Sequence, residues 1–143
     1  MIVIDDQLLF EVLAGSKQRE LRDLMVDGVA TTFSSYDRLS RTFATGRIDR
    51  ALSRRFAALN EERRRHTQGL LEELPDAVTL LQPRELVPVM SALAARTSVN
   101  FLTAEALGTS MILEAPVAVS TTSTLLANAA ARAGVEVVVL TGD

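Results

Sequence analysis

The chain has no cysteine and no tryptophan, and only one lysine, one histidine and one tyrosine. Each scarcity closes off a chemistry. Without cysteine there are no thiolate metal sites, thiol nucleophiles or disulfides. The single histidine, His66, stands in an arginine-rich stretch with no histidine or cysteine companion, and reads as a surface residue rather than a ligand. No glycine-flanked serine is present to build a nucleophile with it. The seven glycines never gather into a phosphate-cradling loop, which disfavours the usual nucleotide-dependent enzymes. Aromatic residues make up 4% of the chain, so base-stacking platforms for single-stranded RNA are not evident. No apolar run reaches the roughly 18 residues that a membrane-spanning helix needs. Asp5 and Asp6 stand where a signal peptide carries positive charge, and a cytoplasmic protein is the expectation.

What is present suits one domain over residues 1–143. A chain of 143 residues, 48% hydrophobic and 23% charged, is long enough for a single core and short for two. Apolar runs of strand length alternate with helical patterns. Residues 2–5 read as a strand and 7–14 as a helix ending at Gly15. Residues 29–32 form a second strand, and Ser34 or Ser35 caps a helix toward Gly46. Residues 48–74 are helical, with a break near Asn60 or Gly69. Residues 77–81 form a third strand, and Pro83 opens the next helix. Pro88 fits awkwardly inside that helix and marks its true start or a kink. Residues 99–113 make a helix, 116–120 a strand, 123–133 a helix stopped by Gly134, and 135–140 a last strand. Alternation of this kind predicts a three-layer α/β/α fold with a mainly parallel central sheet. Its binding crevice would lie beyond the carboxyl ends of the strands, where Asp5, Asp6 and the residues after Thr32 and Ser120 fall.

Charge is unevenly distributed. The net charge is -3, yet the stretch from Arg38 to Arg65 holds nine arginines (Arg38, Arg41, Arg47, Arg50, Arg54, Arg55, Arg63, Arg64, Arg65) against three acids, Asp49, Glu61 and Glu62, a local charge of +6. Arginine forks suit the phosphates of RNA, and suit an acidic protein partner equally. A solvated helical face with local ion pairs is the plainer reading.

The opening "MIVIDD", a buried strand ending on two carboxylates, resembles two families. Receiver domains begin so, but they need a phosphoacceptor aspartate at the end of a central strand and a late lysine. Here the mid-chain Asp49 lies in an arginine-rich helical pattern, and the only lysine is Lys17. The chain resembles PIN-domain ribonucleases, the family that includes many bacterial toxins, along its whole length. Asp5 closes the first strand, "VATTFSSYDRL" places Asp37 five residues after Thr32, and "LTAEALGTSMILEAPVAVSTTSTLLANAAARAGVEVVVL" looks like the family's closing module. The resemblance implies a PIN-like fold, a site at Asp5 and Asp37, magnesium or manganese as cofactor, RNA or an antitoxin-like protein as partner, and a homodimer or other homo-oligomer.

The same module departs from the pattern. The family's third acid falls on Thr103 and its fourth on Thr121 or Thr122. Clustered carboxylates hold the metal that activates water in such nucleases, so a site with two of four binds metal weakly and leaves catalysis in doubt. Asp6 neighbours Asp5, but on a strand it points to the opposite face. Glu105 lies about 200° around the helix from Thr103, and so faces away from it. Glu114 stands where a glycine usually ends the helix and is expected to be solvated. Two readings follow: a metal-dependent ribonuclease using Asp5 and Asp37, or a non-catalytic PIN-like module binding RNA or protein, with Arg38, Arg41, Arg47, Arg50, Arg54 and Arg55 as the contact surface.

Overall fold

Ile2, Val3 and Ile4 are all buried, and on a strand they alternate in direction. That alternation builds the layers of the molecule. The computed structural model describes residues 1–15, 19–46 and 50–140, and between residues 50 and 54 only the side chain of Leu52. Five strands form one sheet: β1 (Ile2–Ile4), β2 (Val29–Thr31), β3 (Val78–Leu80), β4 (Val117–Val119) and β5 (Val137–Val139). All pairings are parallel, in the order β3-β2-β1-β4-β5. Ile2 pairs with Val29 and Val29 with Val78, so the three share a face. That face packs against α1 (Asp6–Leu13), α3 (Phe33–Thr45), α4 (Arg50–Ala57) and α5 (Glu61–Glu72) through Leu8, Leu9, Leu39, Phe43, Phe56 and Leu71. On the other face Val3, Ala30, Val117 and Val119 form a second cluster. Next to it, α6 (Pro83–Arg96), α7 (Phe101–Leu113) and α8 (Thr124–Ala133) meet through Leu93, Leu107 and Ala129. The result is a three-layer α/β/α architecture. No helix among the described residues is long and apolar enough to cross a membrane.

Most element ends follow local chemistry. Asp5, Asn60, Asn100 and Ser123 each accept a hydrogen bond from a backbone N–H in the first turn of α1, α5, α7 and α8. Asn60 thus starts a new helix where the break was expected. Three details differ from the sequence reading. A short helix, α2 (Arg19–Leu24), precedes β2, burying only Leu21, too little for a periodic signal. The cap of α3 is Thr32, whose hydroxyl accepts from the Ser35 N–H at 3.1 Å. Pro88 lies inside α6 without ending it; the helix runs on because Leu86 and Leu93 on either side are buried, and their packing outweighs one missing backbone hydrogen bond.

The helix α7 ends on Glu114 in the left-handed region, φ 51°, where α3 and α8 have Gly46 and Gly134. Its side chain is exposed. A side chain there carries a steric cost that glycine avoids. Glu114→Gly should therefore stabilise the fold by roughly 1 kcal/mol, read as a higher urea midpoint; a lower midpoint would mean that the Glu114 side chain contributes a contact of its own.

Candidate functional site

The strand order places a crevice. From β1 the chain moves outward through β2 to β3, then returns to build β4 and β5 on the other side of β1. The reversal lies between β1 and β4, and in open parallel sheets ligands bind just beyond the carboxyl ends of the strands at such a point. A cleft of about 170 Å³ opens there, with Asp5, Asp6, Thr32, Ser35, Arg38 and Thr103 among its lining. The receiver fold has the order 2-1-3-4-5, in which the third strand, not the fourth, neighbours the first.

Asp5 is held on both oxygens. Its Oδ1 accepts from the Leu8 N–H at 2.8 Å, capping α1. Its Oδ2 accepts from the Ser120 N–H at 3.0 Å and the Ser120 hydroxyl at 3.2 Å. One carboxylate thereby joins the end of β1, the start of α1 and the end of β4.

Asp6 shares the crevice with Asp5, contrary to the strand-alternation argument. The reason is local: β1 stops at Ile4, and Asp6 is the first residue of α1, where alternation no longer applies. Its Oδ2 lies 3.6 Å from Nη2 of Arg38. Burial pushes the Asp6 carboxyl above its ordinary range; Arg38 opposes that shift and the neighbouring Asp5 charge adds to it.

Asp37 lies elsewhere. Successive helix residues turn by about 100°, so Thr32, Ser35 and Arg38, at spacings of three, line the crevice, while Asp37 and Ser40 line a separate cleft between α3 and α5. Both Asp37 oxygens accept from Nε of Arg41, at 3.0 and 2.9 Å. The structure thus places Asp5 and Asp6 in the crevice and Asp37 in the other cleft.

Thr103 does line the crevice, at the position that the PIN resemblance assigns to an acid. Thr121 and Thr122 are exposed in the turn after β4, and it is Ser120 before them that contacts Asp5. Glu105 is turned away, as the helical angle requires. It is buried, and accepts from the Ser34 N–H at 2.9 Å and the Ser34 hydroxyl at 2.7 Å. Among the described residues no three His, Asp or Glu side chains gather in a way that would hold a metal ion. The crevice donors also fit magnesium poorly, because a guanidinium already lies against one of the two carboxylates, and the octahedral shell of magnesium leaves little room for one.

The described arginines of the basic stretch each have a partner within the chain. Besides Arg38 and Arg41, Nη1 of Arg55 lies 2.6 Å from Glu11, Nε of Arg65 lies 3.2 Å from Glu61, and Arg63 donates to the Ala14 carbonyl at 3.4 Å. The Arg64 guanidinium sits 4.7 Å over the Phe56 ring. Arg47 and Asp49 lie outside the described residues, as do the side chains of Arg50 and Arg54. His66 is exposed on α5. Two participants were not legible from residue type alone: Ser120 as the partner of Asp5, and Arg38 as a residue that lines the crevice while half exposed. The spacing of Thr32, Ser35 and Arg38 was the available signal for the second.

The hydrogen bonds of Asp5 give its removal a sign. Asp5→Ala should destabilise the fold by about 2–3 kcal/mol, from a lost helix cap and an orphaned Ser120 N–H. Ser120→Ala, which keeps the backbone contact, should cost less than about 1 kcal/mol. Urea denaturation separates the cases, and an Asp5→Ala chain as stable as the parent would refute the structural role. Asp6 supplies a pH test. Its carboxyl titrates higher in the folded chain than in the unfolded one, so its contribution to stability is whole at low pH and is lost as pH rises above the ordinary value of 3.8 and through the folded value. Asp6→Asn should lose less stability over that rise than the parent chain does. Arg38→Gln should move the Asp6 titration still higher, a shift that carboxyl NMR reads directly.

No family model matches the chain, and a comparison with curated proteins returns no match.

Proposed function

We propose that this chain is a PIN-like domain, related to metal-dependent toxin-type ribonucleases, that binds a protein partner and does not cut RNA. The observation that carries this reading is the position of Arg38. Its guanidinium lies in the switch-point crevice against Asp6, where a nuclease would need a metal ion, while Asp37 lies in the other cleft. With Asp5 and Asp6 negative and Arg38 positive, the crevice carries a formal charge of -1, and the guanidinium repels a divalent cation that the two carboxylates would otherwise attract. The three-layer fold and the place of Thr103 in the crevice support the PIN-like part of the reading. The carboxylates beside Arg38, Arg41, Arg55 and Arg65 reduce the net positive charge that this surface offers to phosphate, which favours a protein partner over RNA. An antitoxin-like protein or a second copy of the chain is the kind of partner this reading calls for.

Manganese titration by calorimetry, alongside an RNA cleavage assay, tests the reading on the parent chain, on Asp37→Asn and on an Asp5→Asn, Asp37→Asn double variant. The expected result is no binding heat and no cleavage from any of the three. Metal-dependent cleavage by the parent that disappears in the double variant would overturn it and restore Asp5 and Asp37 as a catalytic pair. Asp37→Asn touches only an exposed ion pair, so it reports on catalysis even if loss of Asp5 unfolds the chain.

A further inference from the structure

The cleft between α3 and α5 has a composition that fits one kind of occupant. Its volume is about 320 Å³, at the small end of ligand pockets, which run from about 300 to 1,000 Å³. Phe33, Tyr36 and Phe43 supply aromatic walls, and Asp37 and Glu72 supply two carboxylates. The Ser40 hydroxyl, also in the lining, is buried without a hydrogen-bond partner. No arginine or lysine among the described side chains lines the cleft, although α3 and α5 are rich in arginine. An apolar pocket with a few convergent polar groups is the usual form of a binding site.

We propose that the α3/α5 cleft is a docking pocket for an arginine side chain presented by a protein partner. The aromatic walls accept the flat guanidinium and its aliphatic stem, the two carboxylates attract its charge, and the Ser40 hydroxyl accepts one of its five N–H donors. RNA is a poor occupant, since the same carboxylates repel phosphate. The acids are already engaged, but loosely. Asp37 pairs with Arg41, whose side chain is 77% exposed, and Glu72 accepts from Gln68 at 3.1 Å on an exposed helix face. Exposed pairs four residues apart on a helix hold weakly, so an incoming guanidinium displaces them at small cost. Phe33, 57% exposed at the first position of α3, is a large apolar side chain facing solvent at the lip, as the rim of a docking site requires. The pocket is separate from the crevice, so the inference rests on the protein-binding reading only for the class of partner.

The test uses the full chain and the peptide acetyl-Leu-Arg-Leu-amide, followed by amide NMR shifts. The expected shifts fall on Asp37, Ser40, Gln68 and Glu72. Asp37→Asn and Glu72→Gln should each weaken binding about 5-fold, the scale of one partly exposed charge pair, and Phe33→Ala should weaken it with both charges intact. Equal binding of acetyl-Leu-Gln-Leu-amide, shifts confined to other residues, or indifference to both charge variants would overturn the proposal, as would an oligouridine probe shifting the same four residues. Glu72→Gln lies outside the crevice, so its result is independent of whether manganese or RNA cleavage is found there.

Discussion

The carboxylate of Asp5 is the joint on which the carboxyl edge of the sheet is built. A parallel sheet whose strand order reverses leaves a gap between β1 and β4, because the chain leaves their ends in different directions. The N–H groups at the start of α1 and at Ser120 both open onto that gap and both need an acceptor. Asp5 provides it for the two sides at once, and a neutral side chain of the same length would serve one side less well. The rest of the edge is arranged around this joint. Thr31 ties β2 to β1 through the Ile4 carbonyl at 3.0 Å, and Glu105 fixes the start of α3 through Ser34. Polar groups that look catalytic by type are here largely saturated by the backbone they organise.

The architecture was legible because it depends on periodicity. Short β-branched runs at regular spacing, with helical patterns between them, leave few alternatives to a parallel sheet with helices on both faces, and all five strands lie inside the segments read from the sequence. Two features of the helices escape a local reading for the same reason. The helix α2 buries a single leucine, and Pro88 is tolerated because tertiary packing outweighs a local penalty; neither fact is encoded in the segment itself.

The site was harder to read, for geometric reasons. The direction of Asp6 is not readable from strand alternation, because it depends on whether position 6 belongs to a strand or to a helix, and that boundary lies one residue away, within the ordinary uncertainty of element ends. Glu105 was placed correctly because its direction follows from helical angle alone. The arginine stretch shows what composition leaves out: a local charge of +6 suggests a phosphate surface, while carboxylates beside it, such as Glu11 and Asp6, come from distant parts of the sequence. Only folding shows which arginines lie beside a carboxylate.

Asp37 and Arg38 are neighbours in sequence and line different cavities on α3, and this makes helical phase the variable that sets the character of the crevice. A turn of α3 by one residue, about 100°, would carry a carboxylate toward Asp5 and Asp6 and take the guanidinium away. Two anchors at the start of the helix fix the phase: the Thr32 cap and the grip of Glu105 on Ser34. A single-residue insertion between Ser35 and Asp37 would leave both anchors in place and put Asp37 at the phase that Arg38 now holds. The chain thus stands one step of rotation from a three-carboxylate crevice, with no change in the residues that would form it.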